Sequence, residues 1–197
     1  HARIGMHVRK QQCDALQAAV LQGIDSFNAT PEGSGEASVT AAEPDFRAVT
    51  AAAELSIPLS DRLGIVALAA GQHGFGPLPG EVRIAFGGGP FGRAFDSGAA
   101  SGDDGVMGSV EIAFRTELDL DIIQSSSVYG FADYGALWFR GGDRAEGATT
   151  LGSAGIGFRA FLEGGFAVDV SLAAPFETDE TVDDPGTRLF LALKKRF

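Results

Sequence analysis

Residues 81–116 decide the fold of this chain and read EVRIAFGGGPFGRAFDSGAASGDDGVMGSVEIAFRT. Two runs that alternate apolar and polar residues, the period of a β-strand, enclose a glycine-rich stretch at 87–105. That stretch is longer than the roughly 12–15 residues that loops without structure of their own usually reach. Arg93 lies within it between two aromatic residues, Phe91 and Phe95. We therefore interpret it as a long loop between two strands that packs against another part of the molecule.

The glycines of this loop admit a second interpretation. Gly87, Gly89 and Gly92 match the spacing G-x-G-x-x-G, which follows a strand in dinucleotide-binding folds. That site requires a helix to begin at the third glycine, so that the helix N-terminus holds the pyrophosphate. Residues 93–105 are rich in glycine and serine and have no apolar helical period, which argues against a nucleotide. Two hypotheses remain: a flexible surface loop, or a loop that folds back and places its arginine on a carboxylate inside a barrel.

Length and composition restrict the function further. The chain has 197 residues, enough for one domain, and begins at His1, so we expect a piece of a longer protein. Its net charge of −11 argues against nucleic acid as a partner, and its single cysteine excludes an intrachain disulfide. No apolar run approaches the roughly 18 residues of a membrane helix. A membrane barrel stays compatible, because its strands alternate and its charges lie in the lumen and the loops.

About ten segments of the chain alternate apolar and polar residues. In the segment 127–138, for example, Val128 and Tyr134 share an apolar face, and Ser127 and Asp133 share the opposite face. Short turns and longer polar loops, such as 30–44, connect the segments. The predicted strands are 2–8, a weaker candidate at 14–27, 49–57, 63–72, 81–86, 108–116, 127–138, 153–160, 166–172 and 188–197.

Two all-β architectures fit this alternation, a soluble sandwich and a membrane barrel. The strands are close to the 9–11 residues that a tilted membrane strand requires. Their apolar face is continuous, their other face holds small residues and single charges, and short turns alternate with long acidic loops. We therefore predict an all-β fold, an antiparallel transmembrane β-barrel. Tyr134 and Trp138 would then belong to an interfacial aromatic girdle, or to the core if the fold is a sandwich.

Several short motifs follow one another between residues 45 and 135 of the chain. They are DF at 45–46, GQH at 71–73, PLPGE at 77–81, GRAF at 92–95, SGDDG at 101–105, SVE at 109–111 and FADYG at 131–135. In this order they resemble the outer-membrane transporters of two-partner secretion, the haemolysin-activator and haemagglutinin-secretion proteins of the Omp85 superfamily. The last motif is similar to the F-x-D-x-G strand motif of that superfamily. The resemblance covers most of residues 45–197.

This resemblance implies a polypeptide translocation pore in the outer membrane of a Gram-negative bacterium. The whole protein would have periplasmic POTRA domains before a sixteen-strand barrel, of which residues 1–197 would form about the last ten strands. The implied partners are a secreted exoprotein, outer-membrane lipid and the barrel-assembly machinery, which would read the C-terminal strand 187–197 and its terminal Phe197. The resemblance implies no enzymatic activity, no cofactor and no metal.

The resemblance also implies a contact between a loop and the barrel wall. In the family a V-R-G-F/Y motif lies on a loop folded into the lumen, here 87–107, and its arginine pairs with the aspartate of the strand motif. The corresponding residues are Arg93 and Asp133. On either side of the arginine, Gly92 and Ala94 replace the valine and the glycine of the family motif. The period of two places Asp133 on the lumen-facing side, and a guanidinium offers a carboxylate a directional fork.

Four further residues complete the predicted contact. Phe95 and Phe131 would shield the ion pair from water, and Gly135 would leave room for the loop. Glu111 is a second carboxylate on the lumen-facing side and an alternative partner for the arginine. Removing one member of the pair would cost about 3–5 kcal/mol if the pair is buried and about 0–1 kcal/mol if the lumen is wet.

We predict no catalytic site and no metal site. His1, His7 and His73 are far apart and lack the spacing of metal ligands. The acidic segments 103–104 and 179–184 either bind calcium weakly or, in our interpretation, are solvated loops. Two alternative functions stay open beside the secretion pore: an Omp85-type factor that assembles other outer-membrane proteins, and a soluble β-sandwich binding module.

Overall fold

A computed structural model describes residues 12–24, 45–140, 147–183 and 185–196 of the chain. Strands dominate this part, and two single turns of 3₁₀ helix, Gly80–Val82 and Glu163–Gly165, interrupt them. None of its helices is long and apolar enough to cross a membrane. The strands are β1 Gln12–Gln22, β2 Arg47–Pro58, β3 Leu63–Gly74, β4 Ile84–Phe86, β5 Ala100–Gly102, β6 Asp104–Thr116, β7 Ile123–Trp138, β8 Ala148–Leu162, β9 Phe166–Glu177 and β10 Arg188–Lys195.

Eight of these strands form one antiparallel sheet. Their order is β1-β2-β3-β6-β7-β8-β9-β10, so each strand pairs with the next long strand along the chain. The predicted all-β, antiparallel architecture is therefore confirmed. Within the described residues the sheet is open, with β1 and β10 at its edges.

The connections between the strands differ in length at the two ends of the sheet. Those at 59–62, 117–122 and 163–165 are short and lie at one end. Longer connections, at 75–103 and 178–187 for example, lie at the other end. This is the pattern of a bacterial outer-membrane barrel, in which the short turns face the periplasm and the long loops face the exterior.

The two faces of the sheet differ as the sequence period predicts. Side chains alternate between the faces of a strand, and the outer face carries apolar side chains such as Ile156, which is 67% exposed. The inner face carries polar side chains. Ser109, Asp133 and Ser153 lie opposite one another on β6, β7 and β8, and all three are buried. A row of buried polar groups therefore crosses the centre of the inner face.

The connection between β3 and β6, at 75–103, contains structure of its own. β4 and β5 lie in it and pair with each other, with Ile84 opposite Gly102. The prediction that residues 81–86 form a strand of the barrel wall is therefore wrong. The loop also has bounds different from the predicted 87–107, because β6 already begins at Asp104.

Other predicted elements have various outcomes. The weak candidate strand at 14–27 corresponds to β1, Gln12–Gln22. The predicted strand at 2–8, the predicted loop at 30–44 and the terminal Phe197 lie outside the described residues.

Candidate functional site

The loop at 75–103 packs against the inner face of the sheet. A buried apolar cluster fills the space between them, and it combines residues of the loop with residues of β6 to β9: Phe86, Ala94, Phe95, Ala100, Met107, Tyr129, Phe131, Leu137, Leu151 and Ala173. Burial of this much apolar surface stabilises the docked position. The loop is therefore not the flexible surface loop that was one of the two hypotheses.

The Arg93 side chain joins the loop to the sheet through a fork of hydrogen bonds. Its Nε donates to Oδ2 of Asp133 at 3.2 Å, and its Nη2 donates to Oδ1 at 3.0 Å. The backbone N–H of Arg93 also donates to Oδ2, at 3.0 Å. Two parallel side-chain bonds and a backbone bond set both the position and the orientation of the loop. The single ammonium group of a lysine does not reproduce such a fork.

The Asp133 carboxylate is fully buried and accepts five hydrogen bonds. Besides the three from Arg93, the hydroxyls of Ser109 and Ser153 donate at 2.8 and 3.1 Å. A carboxylate offers about four lone-pair sites, so its capacity as an acceptor is used up. Without the arginine, a buried negative charge would be held by two neutral hydroxyls.

Two more side chains of the inner face hold the guanidinium. Nη1 of Arg93 donates to Oε2 of Glu111 on β6 at 3.2 Å. The guanidinium carbon lies 3.5 Å from the ring centroid of Phe131, a cation–π contact. Glu111 is thus a simultaneous partner of Arg93 rather than an alternative one, and Phe131 contacts the cation directly.

Gly135 accommodates an aromatic ring of the loop. A Cβ at position 135 would lie 2.5 Å from the ring of Phe86, and a Cβ at Gly92 would clash with the same ring. Gly92 also has a φ of +92°, which favours glycine. Phe95 packs edge-on against Phe86, with ring centroids 5.9 Å apart. Phe86 thus fills the space at Gly135 and accounts for a glycine where the resemblance implies valine.

A second carboxylate holds the base of the loop. Oδ1 of the fully buried Asp103 accepts the N–H of Leu78 at 2.8 Å and Nε of Arg83 at 3.0 Å. Its Oδ2 accepts the N–H of Arg140 at 2.6 Å, and the Arg140 side chain contacts the neighbouring Asp104. One carboxylate therefore joins both stems of the loop to the end of β7. These contacts occupy one of the two acidic segments considered for calcium.

A third ion pair joins the loop to the edge strand β10. Nη1 and Nη2 of Arg188 donate to the Asp96 carboxylate at 2.6 and 3.2 Å. These hydrogen bonds, and after them the charge of Arg188, lower the pKa of Asp96 below its ordinary value, while desolvation opposes them. The Asp96 side chain is 81% exposed, so the pair contributes little stability. It shows that the loop contacts both β6–β7 and β10.

The other candidate sites have little support in the described residues. Thr181 donates from its hydroxyl and its N–H to Asp179, and these bonds, the hydroxyl first, lower the pKa of that carboxyl. No group of three or more His, Cys, Asp or Glu side chains in the described ranges is placed to hold a metal. Residues 93–99 form turns and bends, so the helix that a dinucleotide site needs does not begin at Gly92.

Several members of the site were not predicted. The period of two places Ser109 and Ser153 on the polar face, but it does not say that they lie opposite Asp133. That information resides in the register between strands. The alternation at 81–86 predicts a barrel strand for Phe86, and the acidic segment 103–104 makes Asp103 a candidate calcium ligand. The alternating run begins only at residue 108, so the sequence has no local signal that places Asp103 at the base of the loop.

Comparison with known proteins identifies the family. The family model described as haemolysin secretion/activation protein ShlB/FhaC/HecB matches residues 5–160. The chain belongs to this family. The matched segment contains the whole loop 75–103 and strands β6 and β7, and thus Arg93, Glu111 and Asp133. The resemblance drawn from the short motifs is confirmed.

A solved structure agrees with the fold. CdiB from Escherichia coli is similar, with a TM-score of 0.75 and 18% sequence identity over 90% of this chain. At this identity the similarity shows the fold, and the predicted barrel-type fold class is confirmed. The chain spans about a third of CdiB, 32% of its length. No curated protein sequence matches the chain.

Proposed function

We propose that this chain forms part of an outer-membrane pore that secretes a partner exoprotein from a Gram-negative bacterium. Membership of a family of haemolysin secretion/activation proteins supports the role in secretion. The observation that carries the proposal is the position of Arg93, on a loop packed against the inner face of a barrel-type sheet. There it binds the buried Asp133 and the partly buried Glu111. A secretion pore needs a loop that keeps a defined position while the pore is idle and can shift during transport. A hydrogen-bonded ion pair can hold a loop in this reversible way.

The loop acts as a gate, and its movement requires no chemical reaction. Separating Arg93 from the buried Asp133 costs about 3–5 kcal/mol if nothing replaces the contact. That cost keeps the docked state populated while the pore is idle. An unfolded exoprotein in the pore offers polar groups of its own to both residues, so the loop can shift. Folding of the exoprotein outside the cell then makes its passage favourable.

We further propose that the outer face of the sheet contacts outer-membrane lipid. Leu189, Leu191 and Leu193 on β10 are 72%, 74% and 67% exposed, and a large exposed apolar face of this kind marks a contact with a membrane or a partner. Tyr134 stacks on Phe176 near the end that carries the long loops, with ring centroids 6.5 Å apart, as in an interfacial girdle. The strand 187–197 would be read by the barrel-assembly machinery.

Removal of the gene from the bacterium that encodes it tests the proposed function. We expect one large exoprotein to disappear from the culture medium, as measured by mass spectrometry of the medium. The wild-type gene should restore it. Arg93→Ala should not, although the variant reaches the outer membrane in normal amount, because a loop without its anchor on Asp133 has no fixed position in the lumen and stays in the path of the exoprotein. The matched control is Arg62→Ala, because Arg62 forms an exposed ion pair with Glu117 at a short turn. It should restore secretion.

Two results would contradict the proposal. A culture medium unchanged by loss of the gene would exclude the secretion role. If the outer membrane instead lost several other β-barrel proteins, the chain would be an assembly factor. Full secretion by Arg93→Ala would leave the transporter role intact and remove Arg93 from the mechanism.

A further inference from the structure

We propose that Arg159 competes with the loop arginine, Arg93, for the carboxylate of Glu111 and so eases release of the loop. The inference rests on the proposed gating by the loop 75–103. Glu111 lies between the two guanidinium groups. Its Oε2 accepts Nη1 of Arg93, and its Oε1 accepts Nη1 of Arg159, both at 3.2 Å. Arg93 moves away with the loop when the loop is released, whereas Arg159 stays on β8 of the sheet.

Contacts within the wall hold Arg159 whether or not the loop is docked. Its Nε donates to Oδ2 of Asp169 on β9 at 2.7 Å, and its guanidinium carbon lies 4.6 Å from the ring centroid of Tyr129. The Tyr129 hydroxyl donates to the other oxygen of Asp169. A Cβ at Gly157 would clash with the Tyr129 ring, so the glycine leaves room for the ring beside Arg159. Arg159 is therefore in place to keep Glu111 when Arg93 departs.

The charge balance explains why this matters. In the docked state Arg93 and Arg159 face three carboxylates, those of Glu111, Asp133 and Asp169. Release of the loop removes one of the two cations. The Glu111 side chain is only 15% exposed, and a carboxylate so poorly hydrated is costly to leave unpaired. Arg159 keeps it paired, so release leaves Asp133 as the one carboxylate of the three without a cation beside it.

The direction of the effect follows from a two-state equilibrium between docked and released loop. A contact shifts such an equilibrium only by the difference in its free energy between the two states. Arg159 shares Glu111 with Arg93 in the docked state and has it alone in the released state, so it favours release. Without Arg159, Glu111 depends wholly on Arg93, and the docked state gains. Substitutions of Arg159 and Arg93 should therefore move the loop in opposite directions.

A thiol placed on the loop measures its position directly. Ala94 is fully buried next to Arg93, so Ala94→Cys in a Cys13→Ala background reports exposure of the loop tip to a maleimide. The labelling is done on the full-length protein in isolated outer membranes. We expect Arg93→Ala to raise the labelling rate. We expect Arg159→Gln to lower it about tenfold, the factor that corresponds to about 1.4 kcal/mol.

Two controls separate competition from a general effect of charge. Arg62→Gln removes a cation that pairs with the exposed Glu117 at the short turn 59–62, and it should leave the labelling rate unchanged. In a Glu111→Gln background, Arg159→Gln should have no further effect, because the contested carboxylate is absent. If Arg159→Gln accumulates poorly, Arg159→Lys keeps a cation beside Asp169 without the fork that reaches both carboxylates, and it should lower the rate as well.

The competition is overturned if Arg159→Gln raises the labelling rate or leaves it unchanged. It is also overturned if the substitution acts equally with and without Glu111. Labelling reports the loop and not export. A loop that responds as expected in a protein that secretes nothing would therefore contradict the proposed function and leave this inference standing.

Discussion

Asp133 shows at the scale of one residue how the loop and the sheet depend on each other. A buried carboxylate is tolerated where it is paired and hydrogen-bonded. The strands supply two serine hydroxyls, and the loop supplies the cation and a backbone N–H. Asp133 thus has a cation beside it only when the loop is docked. The Asp133 carboxylate is costly to leave unpaired in the undocked state, and this cost favours the return of the loop.

Replacement of Asp133 by asparagine should undock the loop. The substitution removes the charge that Arg93 pairs with. It also replaces one acceptor oxygen by an NH₂ group, which would face the N–H donors of Arg93. We expect docking to weaken by about 3–5 kcal/mol, as for other buried pairs that lose one member. Chymotrypsin cleavage after Phe95, which is 2% exposed in the docked loop, measures the change and should become much faster.

The control for this substitution is Glu117→Gln. Glu117 is a carboxylate paired with Arg62, and their side chains are 76% and 56% exposed. Because exposed pairs contribute little, cleavage should stay at the wild-type rate. Protection of Phe95 in Asp133→Asn equal to that in the wild type would show that apolar packing alone holds the loop.

The residues of this contact divide into those that a sequence can reveal and those that it cannot. The period of two placed Asp133 and Glu111 on the lumen-facing side, and the resemblance to the family supplied the pairing of Arg93 with Asp133. Ser109 and Ser153 became part of the contact through strand register, which depends on pairing across 20 residues or more. The period of two contains no information on which residues lie opposite one another.

At the scale of elements, the loop is held at three places with different chemistry. Its base is joined at Asp103 through two backbone N–H groups and one arginine, its tip is joined at Arg93, and its far side is joined by the exposed pair Asp96–Arg188. Backbone donors cannot rotate away as side chains can. We therefore expect the base to stay in place when the tip moves.

Amide hydrogen exchange in Asp103→Asn tests this division. Leu78 and Arg140 donate their N–H groups to different oxygens of Asp103, and an asparagine has one acceptor oxygen. We expect at least one of these two amides to exchange faster, by roughly the factor of ten that about 1.4 kcal/mol produces. The amide of Arg93, bound to Asp133, serves as the internal control and should keep its protection. Equal loss of protection at Arg93 would mean that base and tip move as one unit.

The same loop shows why one element was misassigned. Residues 81–86 alternate like a barrel strand, because β4 is also half-buried: Phe86 packs into the apolar cluster while Ala85 faces outward. Alternation reports that one face of a strand is covered and does not report what covers it. The segments predicted at 108–116, 127–138, 153–160 and 166–172, by contrast, do lie in strands β6 to β9 of the sheet.

At the scale of the whole molecule, the described sheet is a wall and not a closed barrel. β1 and β10 each have one side without a paired strand among the described residues, and unpaired edges of this length tend to associate. The chain corresponds to about a third of the length of CdiB. The proposed pore therefore needs strands in addition to those of this sheet.

The two faces of the wall make opposite predictions for neighbouring residues of β10. Leu191 lies on the outer face and is 74% exposed, whereas Ala192 lies on the inner face opposite Asp169 of β9. An arginine in the lipid-facing position costs about 2–4 kcal/mol near the middle of the bilayer. We expect Leu191→Arg to reduce the folded protein in the outer membrane and its resistance to urea in lipid vesicles. Ala192→Arg, beside a carboxylate in a wet lumen, should be tolerated. If both variants are tolerated equally, the outer face lies in water, and the membrane assignment of this sheet is wrong.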